Sequence, residues 1–431
     1  MICNNVSLNN EGHLTFAGMD TVALAQKYGT PLYLMDENKI REHMRCYKEA
    51  MEKYFPKGSV PEFASKSFSA KCIYQIAKEE GIDIDAVSSG EIYTALQAGF
   101  PMEKCFFHGN NKTDADIRFA IESGVGYFVV DNLEELESLN RIAGEMGVLQ
   151  KVLLRVSPGI DPHTHQKIMT GSVDSKFGVA IETGQAMELT KKILESKNVK
   201  LLGFHCHIGS QIFESEPFIK AGEMMFEFLA DVKNALGFTA EMLNLGGGFG
   251  VKYTEKDPEI DYAEKIREIG EVLNIQCEKL GLEIPKIMME PGRSLVADAG
   301  MTLYTVGSVK EITGYKSYVS VDGGMPDNPR FALYESEYTV EIANKMNNPK
   351  DFIADVAGRC CESGDIVAEN ITMPKPQRGD VLAVLTTGAY NYSMASNYNR
   401  LGKPPVVMIK DGVERVVVKR ETFQDICRLD V

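Results

Sequence analysis

Between about residue 60 and residue 293 the chain repeats one pattern: a short apolar run rich in β-branched or aromatic residues, then a longer stretch with apolar side chains at helical spacing. Eight such runs occur: Val60 to Ala64, Ile82 to Val87, Cys105 to His108, Tyr127 to Val130, Lys151 to Val156, Leu201 to His207, Met242 to Leu245 and Lys286 to Met289. Between them, Ser69 to Glu80, Gly90 to Ala98, Thr113 to Ser123, Glu134 to Met146 and Tyr262 to Leu280 are amphipathic and long enough for helices. Eight consecutive strand–helix units predict a closed (β/α)8 barrel of the TIM type, an α/β fold, over residues 37–297. The competing open, doubly wound sheet is disfavoured, because no GxGxxG opens the first helix and eight units leave little to form edges.

Past about Leu295 the pattern turns into Leu303 to Ile312, Ser317 to Val321, Asp380 to Thr386, Val406 to Lys410 and Glu414 to Lys419, separated by Gly, Pro and Asn. That predicts a second, mostly β domain over residues 298–431. Asn5 to Phe16 alternates like a strand around Asn9, Asn10 and Gly12, so residues 1–36 are expected to join it. A length of 431 residues agrees with two domains.

Composition narrows the partners. A formal net charge of −15, with no compensating Lys/Arg cluster, argues against nucleic acid and anionic membrane surfaces. No apolar stretch reaches roughly 18 residues, and Met1 to Gly12 is polar and asparagine-rich, so a cytoplasmic protein is expected. The nine cysteines are scattered, lack CxxC spacing and include the adjacent pair Cys360 and Cys361, so neither a disulfide framework nor a bound metal is expected.

Barrel enzymes carry their chemistry at the C-terminal ends of the strands, and here nearly every run ends in polar residues. They are Lys66, Ser88 to Glu91, His108 to Asn111, Asp131, Arg155, His205 to Gln211, Gly246 to Gly250, and Glu290 to Arg293. The glycines after the seventh run allow backbone N–H groups to approach an anion, which makes a phosphorylated ligand plausible. Lys66 stands in the otherwise apolar run Phe63-Ala64-Ser65-Lys66, where a charge is costly unless it is paired or chemically used.

Together these motifs resemble the group IV, fold-type III decarboxylases that use pyridoxal 5'-phosphate, and the resemblance covers nearly the whole chain. It implies an alanine-racemase-like architecture in which Phe63-Ala-Ser-Lys66 supplies the lysine that holds the cofactor as a Schiff base. In His205-Cys-His-Ile-Gly-Ser-Gln211, His207 would stack on the cofactor ring and Ser210 would meet its phosphate, while His205 is read as structural. Gly246-Gly247-Gly248 is similar to the phosphate loop. Glu290-Pro291-Gly292-Arg293 matches the motif whose glutamate pairs with the pyridine nitrogen.

Asp161 to His165, Asp174-Ser-Lys-Phe-Gly178 and Cys361-Glu362-Ser-Gly-Asp365 are most similar to the branch that acts on diaminopimelate. The expected reaction is therefore decarboxylation of meso-2,6-diaminopimelate at its D centre to L-lysine and carbon dioxide. Related D-lysine, D-ornithine or L-ornithine decarboxylation is the alternative on the same scaffold. The resemblance further implies that Arg293, Arg330, Tyr334, Glu362 and Tyr390 surround the far end of the substrate, with Tyr390 also reaching the cofactor. Cys361 would be the acid that returns a proton to the α carbon. Cys361 and Glu362 would come from a partner subunit, giving a homodimer with shared active sites. Departures from the family pattern are FASKS at the lysine, Gly323-Gly324 for a more usual Ala-Gly, and Met325 to Pro329. An amino-acid racemase would need a catalytic tyrosine where Cys361 and Glu362 stand. A non-enzymatic cofactor carrier would lack the second domain.

Overall fold

The computed structural model describes residues 2–160 and 175–431, so Asp161 to His165 and Asp174 of the motifs above lie outside the described residues. The chain divides into two compact units, one of residues 43–250 and 260–292, the other of residues 1–42, 251–259 and 293–431.

The first unit is a closed parallel barrel. Its strands are Val60–Ala64, Asp83–Ala86, Cys105–Phe107, Tyr127–Val130, Gln150–Ser157, Val199–His205, Met242–Asn244 and Lys286–Met289, and the last pairs with the first through Met288 with Val60 and Met289 with Pro61. The period of two along each strand explains the interior. Phe106, Val129, Leu153, Leu202, Met242 and Met288 form one apolar cluster, with Val60 and Tyr127 packed against it. Two residues further along the same strands stand Glu62, His108, Asp131, Arg155, Asn244 and Glu290, all buried. The barrel thus has an apolar floor and, one layer up, a polar tier.

Helix starts follow local capping chemistry. Thr113 and Asp116 form a reciprocal capping box for Asp114–Glu122, and Asn132 caps Leu133–Glu145 through the Glu135 N–H. Ser88 accepts from the Glu91 N–H at 3.2 Å, while the Glu91 carboxylate accepts from the Val87 N–H at 2.8 Å. That pair closes a helix cap. Helices outside the anticipated segments include Glu37–Tyr54, Gln185–Glu195 and Glu216–Leu236. The first buries Ile40, Met44, Tyr47 and Met51 at helical spacing on an otherwise charged sequence. Among the described residues no helix is long and apolar enough to cross a membrane.

In the second unit the long strand Gly300–Ile312 organises a nine-stranded sheet, pairing with Lys316–Val321, Val381–Leu385 and Leu32–Asp36. The amino-terminal alternation does produce strands, yet Val6–Leu8, Leu14–Phe16 and Met19–Asp20 form a three-stranded sheet of their own. It is Leu32–Asp36 that enters the large sheet, antiparallel to Gly300–Leu303 and parallel to Val406–Ile409. The reason is composition: Leu32 to Met35 are all apolar and buried on both faces, whereas Ser7 and Leu8 are exposed.

The turn before Arg330 is held by Asp327, whose carboxylate accepts from the Tyr304 hydroxyl and, at 3.2 Å, from the Gly324 N–H. Burial raises its pKa from 3.8 to about 7. The folded protein thus keeps this proton over a range in which the unfolded chain releases it, so the group's stabilising contribution is full below about 4 and is lost as pH rises through about 7. Asp327→Asn, which cannot ionise, should therefore gain stability relative to the parent between pH 4 and pH 8 in urea titrations. Parallel midpoints across that range would contradict a buried, proton-holding Asp327.

Candidate active site

At the C-terminal mouth of the barrel a cavity of about 360 Å³ is lined by Lys66, Asp85, His108, Arg155, His207 and Glu290, among others. Five of these follow from strand-end polarity; Asp85, inside the second strand, does not. Lys66 sits in the short turn Ser65–Ser67 just past the first strand, with its side chain exposed at the cavity. That turn is anchored by Ser67 Oγ donating to the Ala64 carbonyl at 2.8 Å and by Ser65 Oγ donating to the Asp85 carbonyl. From the eighth strand the Pro291 carbonyl accepts from the Ala64 N–H at 3.1 Å. A side chain at Gly292 would come within 2.8 Å of the Ala64 Cβ and 3.2 Å of Ser67, so the glycine lets the two segments close.

Glu290 is the electrostatic centre of the mouth. Its Oε1 accepts from Asn244 Nδ2 at 2.8 Å, and the Nε2 atoms of His205 and His108 lie 3.0 and 3.2 Å from the same oxygen. The angles are too poor for those imidazoles to count as hydrogen-bonded. Burial holds both histidines well below their ordinary pKa despite the nearby carboxylate, so they stand neutral around it. Asp85 is pushed well above the usual carboxylate range, first by burial and then by Glu290, while Lys66 opposes the shift.

The sixth strand ends at His205, two residues earlier than its apolar run, which puts His207 and Ser210 in the loop beyond it. His207 Nδ1 accepts from the Gly247 N–H at 3.2 Å, and burial keeps the imidazole well below its ordinary pKa. The bond fixes the ring: with Nδ1 as acceptor, the neutral ring carries its proton on Nε2. The glycine turn packs against backbone on every side. A Cβ at Gly246 would lie 2.6 Å from the Cys206 carbonyl oxygen, one at Gly247 2.0 Å from that of Glu290, and one at Gly248 2.4 Å from that of Gly209. The Gly247 N–H is already engaged by His207, so this donor is not a free anion ligand.

The remaining candidates lie in the second unit. Arg293 and Arg330 are both buried and converge on one phenol, donating to Tyr253 Oη at 2.6 and 2.9 Å. Arg330 also donates to Tyr338 Oη at 3.0 Å and Ser336 Oγ at 3.2 Å. Tyr390, in a left-handed conformation with φ 62°, lays its ring 5.0 Å from the Arg293 guanidinium and 6.0 Å from that of Arg330. Burial alone would raise the Tyr253 phenol, but the two guanidiniums outweigh it and bring its pKa below the ordinary value. Tyr253 and Tyr338 carry no signal in the sequence; only packing around the arginines reveals them. Tyr334 is half-buried at the end of the short helix Arg330–Tyr334. Cys361 and Glu362 are exposed; the Cys361 N–H donates to Asn399 Oδ1 at 2.8 Å, and Asp365 pins their loop by accepting from the Cys360 and Met325 N–H groups at 2.7 and 2.6 Å.

Pyridoxal phosphate fits the barrel mouth on these grounds. The cavity lies at the small end of ligand sites, roughly 300–1,000 Å³. Its lining offers one amine in Lys66, a neutral ring of fixed orientation in His207 and a carboxylate in Glu290, which suit the aldehyde, ring and pyridine nitrogen; Ser210 and the 246–248 turn are not part of that lining.

Residues 37–297 match the family model described as pyridoxal-dependent decarboxylase, pyridoxal binding domain. The diaminopimelate decarboxylase of Bacillus subtilis (strain 168) is 47% identical over 423 residues, covering 98% of this chain and 96% of that protein. That of Bacillus methanolicus is 47% identical over 414 residues, 96% of each chain. Among solved structures, diaminopimelate decarboxylase from M. jannaschii in complex with L-lysine superposes with a TM-score of 0.92 at 34% identity, covering 100% of this chain and 98% of that one.

Because a methyl at Gly247 has no space, Gly247→Ala should cost at least about 1–3 kcal/mol of stability. Gly307→Ala, whose nearest neighbour stands 3.6 Å away, should be close to neutral in the same urea titration. Equal effects of the two substitutions would show that the turn is not close-packed.

Proposed function

The chain belongs to the pyridoxal-dependent decarboxylase family, within it to the diaminopimelate decarboxylases, and we propose that it decarboxylates meso-2,6-diaminopimelate at its D centre to give L-lysine and carbon dioxide. The observation that carries the reading is the convergence of Lys66, His207 and Glu290 on one cavity at the barrel mouth. Bound there, pyridoxal phosphate supplies an aldehyde for an amine to condense with and a ring that accepts the electron pair left by departing carbon dioxide.

Lys66 is the amine that holds the cofactor until the substrate amine replaces it. Glu290 would hold the pyridine nitrogen, and a carboxylate there would keep that nitrogen protonated and the ring electron-poor. His207, oriented by the Gly247 N–H, covers one ring face. Ser210 and Gly248 serve the phosphate, with Gly247, Pro291 and Gly292 shaping the turn and its neighbour.

Arg293 and Arg330 take the substrate's far carboxylate, supported by Tyr334, Tyr390 and Glu362. Among the described residues the side-chain partners of Arg330 are the hydroxyls of Tyr253, Tyr338 and Ser336, with no carboxylate in reach. A buried guanidinium matched only by hydroxyls favours an anionic ligand group. Substrates that yield diamines, such as ornithine, have no second carboxylate to offer. Cys361 donates the proton that replaces the lost carboxyl group. Its exposed loop suits delivery to another subunit, so the working unit is a cytoplasmic homodimer in which residues 1–36 and 298–431 complete the site and the interface.

Purified protein supplied with the cofactor should release L-lysine and carbon dioxide from meso-diaminopimelate. Faster turnover of D-lysine, D-ornithine or L-ornithine would sink this specificity. The shared site has its own test. Lys66→Ala should lose the visible cofactor band and Cys361→Ala should lose turnover by roughly 10²–10⁴-fold. Unfolded and refolded together, the two variants should regain about a quarter of wild-type activity, because half the dimers carry one intact site of two. No recovery would place Lys66 and Cys361 of the same chain in one site.

A further inference from the structure

Inside the barrel, beneath the mouth, three polar side chains from neighbouring strands are joined in a way that the proposed reaction leaves unexplained. Asn244 ends the seventh strand and is completely buried. Its Nδ2 donates to Glu290 Oε1 at 2.8 Å and to Glu62 Oε1 at 3.1 Å, and its Oδ1 accepts from the Gly246 N–H at 2.8 Å. A primary amide offers two donor hydrogens on one side and an acceptor on the other, and only this orientation satisfies two carboxylates and one N–H at once. The backbone reinforces the link: the Glu290 N–H donates to the Gly246 carbonyl at 2.9 Å.

Glu62 is also completely buried, and among the described residues it has no ion pair; its Oε2 has no hydrogen-bond partner. Burial, and then the nearby Glu290 carboxylate, push its pKa well above the usual carboxylate range. With two carboxylates meeting on one amide in a dry interior, burial favours the protonated form of Glu62. Glu290 is the member of the pair that lines the cavity.

We propose that Asn244, backed by Glu62, is a positioning residue that fixes the Glu290 carboxylate and the first glycine of the 246–248 turn in a single register. One side chain then sets the spacing between the ring-nitrogen end and the phosphate end of the cofactor seat. This rests on pyridoxal phosphate occupying the barrel mouth. Without the amide, Glu290 loses the donor on Oε1 and Gly246 loses its acceptor, so both ends of the seat loosen together.

The test is titration of the apoprotein with pyridoxal phosphate, following the visible band and the dissociation constant. Asn244→Leu, close to isosteric, should weaken binding by about 10–100-fold, as expected when buried polar groups lose a partner worth 1–3 kcal/mol. The same substitution in a Glu290→Gln background should cost markedly less, because the two residues act as one unit. Glu62→Gln, which keeps the neutral acceptor, should weaken binding less than Glu62→Leu. If Asn244→Leu does not fold, Asn244→Ser carries the same comparison in both backgrounds. Unchanged affinity in the Asn244 variant, or an equal loss with and without Glu290→Gln, overturns the assignment. Failure of the unmodified apoprotein to bind the cofactor at all would instead remove the functional reading on which it stands.

Discussion

Glu290 places a carboxylate inside a closed parallel barrel, where the unpaired charge would cost several kcal/mol. Among the described residues no lysine or arginine is ion-paired with it; the neighbours are the Asn244 amide, two histidines kept neutral by burial, and two acids, Glu62 and Asp85, whose pKa values burial raises. The cavity in front of that carboxylate also receives Lys66, whose turn is clamped to the Glu290 segment through Ala64 and Pro291. Glu290 thus meets the cavity from within a network of polar groups, with Lys66 and Arg155 on the same lining.

The second unit holds the complementary case. Arg293 and Arg330 share the hydroxyl of Tyr253 and face the Tyr390 ring, and among the described residues the positive charge of Arg330 is matched by hydroxyls and aromatic faces. The two guanidiniums hold the Tyr253 phenol below its ordinary pKa against the effect of burial. Asp327, tied to Tyr304, fixes the turn that leads into Arg330. Glu290 in one unit and Arg330 in the other are each held mainly by neutral polar groups.

Much of this was legible in residue order, and the limits have physical causes. Periodicity located all eight barrel strands because each alternates between a packed interior and a packed exterior, and three of the runs coincide with the observed strands. The sixth strand was placed two residues late because Cys206 and Ile208 are apolar and buried, yet belong to a loop. Glu37–Tyr54 was missed because its apolar stripe is thin and its remaining residues are mostly charged. Lys66, His207 and Glu290 were legible as polar residues at strand ends. Asn244 and Asp85 were not, because inside an apolar run one polar residue looks like an ordinary outward-facing position.

Local order by itself determined which segments are strands and helices, that the strands close into a barrel, and at which end polar groups gather; these depend on spacing between near neighbours. Which polar groups meet was decided only by closure. Glu62 and Asn244 are 182 positions apart and Asn244 and Glu290 are 46 apart, yet barrel curvature brings them onto one amide. Tyr253 reaches Arg330 across 77 positions through the second unit's packing. Hydrogen bonds and charge compensation act over a few ångströms in space, and no pattern along the chain encodes those distances.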